Sequence, residues 1–128
     1  MNLKSLKASA ILATILVGGA VSATAAEAAK EDAEFATKLV GAIENFNYPG
    51  FIFDGEAPFQ QLKPDAFFAV ASKLAPKLKT GHELTYLGNY QQHGYRVSLW
   101  KISFKGGGDD LLATLSVKDG KVGGFYIK

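Results

Sequence analysis

The chain has 128 residues, a formal net charge of +2 and no cysteine. That length fits one domain. The missing cysteines exclude disulfides, thiol catalysis and cysteine-ligated zinc, and the near balance of charge leaves no electrostatic footprint for nucleic acid or an anionic membrane.

The chain opens with the pattern of an export signal. Lys4 and Lys7 precede an apolar, small-residue run from Ala8 to Val21, and Ala23-Thr24-Ala25 offers an Ala-x-Ala cleavage site. Ala26-Glu27-Ala28 is a second candidate. The run is shorter than the roughly 20 apolar residues of a spanning helix. The reading is therefore a signal peptide over residues 1–25 and a single domain over 26–128. It predicts a periplasmic or secreted product, with no cysteine to lipidate and no stable membrane anchor after cleavage. Without Lys4 and Lys7 the mature chain carries twelve charges of each sign. A chain of roughly 100 residues buries about two-thirds of its unfolded surface, enough to fold on its core alone.

Lys30 to Phe46 reads as a helix. Phe35, Leu39, Ile43 and Phe46 recur at helical spacing, and Glu31, Asp32 and Glu34 in the first turn favour the macrodipole. Pro49-Gly50 breaks the chain. Phe51-Ile52-Phe53 then forms either an edge strand or an aromatic plug over the core. Pro64 suits the first position of a second helix, whose face is Phe67, Ala71, Leu74 and Leu78, widened by Phe68 and Val70. Pro76 deprives the Ser72 carbonyl of its donor and predicts a kink or stop near Ala75.

From Glu83 onward the pattern is that of strands. Glu83 to Gln91 alternates, and Gln91-Gln92-His93-Gly94 supplies a turn. Tyr95 to Lys105 begins its apolar set on odd positions (Tyr95, Val97, Leu99) and continues on even ones (Trp100, Ile102, Phe104). This change of phase implies a β-bulge near Leu99-Trp100 or cover on both faces; the bulge is the preferred reading. Gly106-Gly107-Gly108 is a flexible connection. Leu111 to Lys118 alternates cleanly. Asp119-Gly120 marks a tight hairpin, pairing Val117 with Val122. Gly123-Gly124 in the last strand suggests a bulge or a close backbone approach.

Helix, helix and a four-stranded meander predict an α+β fold: two N-terminal helices packed on a curved antiparallel sheet. The runs Pro64-Asp65-Ala66-Phe67-Phe68, Tyr86-Leu87-Gly88, Tyr95-Arg96-Val97-Ser98-Leu99 and Leu115 to Gly124 resemble the small exported members of the nuclear-transport-factor-2-like superfamily. That resemblance covers the chain from about Lys30. It implies a cystatin-like roll with an open conical pocket and frequent homodimers. It implies no particular activity.

The chemistry-bearing residues are sparse. Asp109-Asp110 in a glycine loop reads as a solvated turn, since calcium needs more ligands. His82 and His93 have no partner at metal-binding spacing, so no metal and no cofactor is expected. No nucleophile elbow, phosphate loop or dinucleotide fingerprint occurs. The aromatic residues are the richest signal. Phe104 and Phe67, with Leu115, belong to the core, whereas Trp100, Tyr86 and Tyr95 serve either packing or a ligand surface. Arg96, the only arginine, either anchors a carboxylate or covers an apolar strand with its stem. Candidate binding residues are accordingly Trp100, Tyr86, Tyr95, Arg96 and Phe53; no catalytic residue is assigned.

These features favour an exported, non-catalytic binding or interaction module for a small apolar ligand or an envelope protein. The first alternative is a small-molecule isomerase or hydrolase with His82 or Glu83 as base and Tyr86 or Tyr95 as acid. The second is a protease-inhibitor-like module, although the cystatin Gln-x-Val-x-Gly hairpin is missing.

Overall fold

The structure, a computed structural model, describes residues 28–128. The expected signal peptide lies outside the described residues. Among those described, no helix is long and apolar enough to cross a membrane. The elements in order are α1 (Lys30–Glu44), α2 (Tyr48–Ile52), α3 (Ala57–Gln60), α4 (Pro64–Lys79), β1 (His82–Gln92), β2 (Tyr95–Phe104), β3 (Leu111–Lys118) and β4 (Lys121–Ile127). The strands form one open antiparallel sheet in the order β1-β2-β3-β4. The α+β class and the meander are as expected. The described residues hold four helices rather than two, because the segment between α1 and α4 folds into two short ones.

The two long helices, α1 and α4, bury one stripe each. On α1 the buried residues include Ala36, Leu39, Val40 and Ile43. The helix ends two residues earlier than expected: Phe46 adopts a φ of 55°, a left-handed conformation that stops the helix and leaves its ring 42% exposed. On α4, Phe67, Ala71, Ala75 and Leu78 are buried, while Phe68 and Val70 are exposed rather than part of the stripe. Pro76 does not stop α4, which continues to Lys79. Pro76 and Ser72 are both exposed, so the orphaned carbonyl meets water instead of a dry interior. Phe51-Ile52-Phe53 is no strand. Phe51 lies in α2, capped by the Asn47 side chain accepting from the Gly50 N–H at 3.0 Å, and its buried ring plugs the core.

The even residues of β2 (Ser98, Trp100, Ile102 and Phe104) are buried and pair with β3 residues that are also turned inward, such as Ala113 opposite Trp100 and Leu115 opposite Ser98. Val97 is buried too, on the alternate face. The irregularity expected near Leu99-Trp100 is present at that level of the sheet, but the extra residue belongs to β1. Tyr86 pairs with Trp100 and Gly88 with Leu99, so Leu87 is bulged out and 54% exposed. A second irregularity lets Val117 pair with Val122 and Ser116 with Gly124, leaving Gly123 as the extra residue of β4. Bulges bend strands and raise local twist. Two tight hairpins close the sheet ends, His93-Gly94 with φ of 54° and 83° and Asp119-Gly120 with 51° and 75°, the positive pair a primed turn needs.

One ion pair ties the helical layer to the sheet. Arg96 donates from Nε and Nη2 to the two carboxylate oxygens of Asp32, at 2.8 and 2.7 Å, and from Nη2 to Glu31 at 3.1 Å. Asp32 is almost fully buried. The acidic first turn of α1 therefore serves the lone arginine as well as the helix dipole.

Candidate functional site

A cavity of about 560 Å³ lies between the β4 edge of the sheet and the helices α3 and α4. Gly123, Gly124, Phe125, Tyr126 and Ile127 form one wall; Pro58, Phe59, Leu62, Ala66 and Val70 form the other; Ile43, Phe51 and Phe67 are also in contact with it. Gln61 and Tyr126 supply the only polar side chains of the lining, and no Asp, Glu, His, Lys or Arg belongs to it. Such a space suits an apolar guest.

The cavity follows from local sequence. Gly123 and Gly124 put bare backbone along this wall, where a strand normally presents side chains. A Cβ on Gly123 would run into the Tyr95 ring, which accounts for the close approach expected at this pair. Phe51 is the hub of an aromatic cluster: its ring centroid lies 5.1 Å from Phe67, 5.4 Å from Phe59 and 6.2 Å from Phe125. The α3 rim is tied at both ends. Val122 donates to the Asp54 carbonyl at 2.9 Å and its own carbonyl accepts from the Glu56 N–H at 2.8 Å. Lys38 pairs with Asp54 at 2.7 Å. Tyr95 donates to the Glu56 carboxylate at 2.6 Å, and the Tyr48 hydroxyl donates to the Leu62 carbonyl.

None of the five residues singled out from the sequence lines this cavity. Trp100 is buried beside Tyr86, with centroids 5.3 Å apart, and its indole N–H donates to Ser98 Oγ at 2.9 Å. The Tyr86 hydroxyl accepts from Asn89. Tyr95 latches Glu56, and that hydrogen bond to a carboxylate, with a smaller burial effect, raises the phenol above its ordinary pKa. Arg96 anchors carboxylates of its own chain, chiefly Asp32, whose hydrogen bonds push the guanidinium further above its already high pKa. Phe53 is 70% exposed, with the Lys38 ammonium 4.9 Å from its ring centre.

His82 and Glu83 line a separate, shallow depression of about 300 Å³ with Ser103, Phe104 and Lys105. His82 Nδ1 lies 3.1 Å from the Leu78 carbonyl; a carbonyl accepts, so Nδ1 donates and is occupied. Tyr86 and Tyr95 do not line this depression. Tyr95 sits at the opposite end of β2 from Phe104, the partner of His82, roughly 30 Å away at about 3.3 Å per residue. Among the described residues no group of three or more His, Cys, Asp or Glu could hold a metal ion. The residues that sequence reasoning missed are Phe59, Leu62, Val70, Phe125 and Ile127. The available signals were the glycine pair in a strand and the proline-bounded segment facing it.

Against solved structures, the chain is similar to an uncharacterised cystatin-fold protein from Novosphingobium aromaticivorans, with 11% identity, a TM-score of 0.39, and 74% of this chain and 95% of that one covered. It is similar to an NTF2-like protein of unknown function from Cytophaga hutchinsonii, with 8% identity, a TM-score of 0.39, and coverage of 75% and 87%. It is also similar to AclR from Streptomyces galilaeus, named as a candidate hydroxylase, with 13% identity, a TM-score of 0.42 and 77% of each chain covered. No family model and no curated protein matches the chain.

Proposed function

We propose that the protein is an exported, non-catalytic binding module that takes an apolar ligand into the cavity between β4 and α3–α4. The observation that carries this reading is the lining: about 560 Å³ of space walled mainly by aliphatic and aromatic groups, with no acidic or basic side chain. The volume falls in the usual range for small-molecule sites. The alternative, an isomerase or hydrolase, has less support, because His82 and Glu83 share no cavity with Tyr86 or Tyr95. Export rests on the Lys4, Lys7 and Ala8–Val21 pattern and predicts a mature chain beginning near Ala26.

The test is a fluorescence titration with 1-aminoanthracene, an uncharged apolar dye. Its emission rises on binding to the wild-type protein. Val70→Trp fills the cavity from an exposed position and lowers dye affinity by at least about tenfold with an unchanged melting temperature. Equal binding by both proteins, or no binding by wild type, overturns the reading.

A further inference from the structure

The wall formed by β4 is more than an apolar surface, because β4 is an edge strand. Leu112 and Lys128 exchange both backbone hydrogen bonds, at 2.8 and 3.0 Å. In an antiparallel ladder such pairs alternate with pairs that exchange none. Tyr126 opposite Thr114 and Gly124 opposite Ser116 therefore bond inward, to β3. Phe125 and Ile127 turn their N–H and C=O groups outward, away from β3. Among the described residues these outward groups have no backbone partner.

One end of the same edge is already paired. Gly55 forms a parallel bridge with Val122, through the Asp54 carbonyl and the Glu56 N–H. The chain then turns into α3 and leaves the edge, and the cavity opens where it leaves. A hydrocarbon guest would fill the space but leave two donors and two acceptors of the edge to water. An extended main chain supplies hydrogen-bonding groups at the matching repeat, with alternate side chains directed into the apolar space. A second folded copy fits less well, because the wall of Pro58, Phe59, Leu62 and Val70 stands across the cavity from β4.

We infer that the ligand of this site is an extended, uncharged, apolar segment of polypeptide that continues the sheet beyond β4, pairing with Phe125 and Ile127 where the Asp54–Glu56 bridge ends. The inference rests on the binding reading above and specifies its ligand class. The lining carries no charge to recognise a terminus or an ionised side chain, so the segment binds internally.

The experiment varies the ligand and leaves the protein intact. A capped hexapeptide of alternating valine and threonine is titrated against full-length mature protein carrying 1-aminoanthracene. Two further versions carry N-methyl groups on the valine or on the threonine nitrogens. Only one of these two sets of N–H groups faces β4. The unmodified peptide displaces the dye, and amide exchange at Phe125 and Ile127 slows by at least about tenfold. One methylated peptide weakens by at least about tenfold while the other binds as the parent does. If dye binds but no peptide displaces it, or both methylated peptides bind equally, the edge-pairing inference falls and the apolar cavity stands. If neither dye nor peptide binds, both readings fall. If the free protein is a dimer with Phe125 and Ile127 already protected, the edge pairs with a second copy and the inference is overturned.

Discussion

The centre of the sheet and its β4 edge differ in how their inner face is covered. Across β2 and β3, Ile102 and Leu115 are almost wholly buried, Trp100 finds Ser98 for its one donor, and Arg96 is matched to Asp32 through two hydrogen bonds. At β4 two consecutive glycines present no side chain, and the helical wall opposite stands off to leave a cavity. Well-packed interiors contain few voids larger than a water molecule. A domain with a packed center and a large apolar gap at one edge has put stability in the first region and kept room in the second. The contrast predicts that equal chemical changes in the two regions have unequal costs.

The largest expected effect is in the filled region. Arg96→Ala leaves Asp32 buried without its partner, and removing one side of a buried pair costs about 3–5 kcal/mol. Urea denaturation should show a lower midpoint with an unchanged slope. Arg96→Met together with Asp32→Leu should recover most of the loss, because it removes both charges from the same space. If the single variant is as stable as wild type, the ion pair does not hold α1 to β2.

A matched pair of truncations comes next. Leu115→Ala opens a void where the side chain is fully enclosed, at a cost of about 3 kcal/mol. Leu62→Ala only enlarges a space that already exists, so it should cost about 1 kcal/mol or less while changing dye affinity in the test above. Similar losses for the two would abolish the distinction between the regions.

The filled region was also the more legible one in the sequence. Clean alternation from Leu111 to Val117 and the Asp119-Gly120 hairpin set the register of β3 and β4, and periodic apolar residues located α1 and α4. The bulge was placed at the right level but on the wrong strand. The change of phase in β2 reflects Val97 buried on one face and Trp100 on the other, whereas the extra residue, Leu87, sits in a strand whose glycine neighbour carried the clue. Pro76 misled because its effect depends on exposure, which a helical pattern alone does not reveal. The cavity was hard to see because periodicity shows which residues face inward and not where two walls stand apart. Residue types announce what they bring, and glycine in a strand announces only that something else comes near. Trp100 and Arg96 stood out by rarity, and the structure shows both engaged with neighbours within the chain.

The smallest effect concerns the link between the two regions. Tyr95 belongs to β2 but fastens Glu56, at the start of the cavity rim, by a 2.6 Å hydrogen bond. That bond exists only while the phenol is protonated, so the folded state holds the proton more tightly than the unfolded chain does, and the phenol titrates above its ordinary value of 10.0. A group whose folded pKa is raised contributes stability that is complete below the unfolded pKa and is lost as pH rises through the folded one. The contribution of Tyr95 should thus be constant through neutral pH and fall away above about pH 10. Tyr95→Phe lacks it at every pH. The difference in urea midpoint between wild type and Tyr95→Phe should be flat from pH 6 to 9 and shrink in the alkaline range. If the difference stays flat on the alkaline side, the phenol is not the donor, and the rim is held by its backbone bridge to Val122 alone.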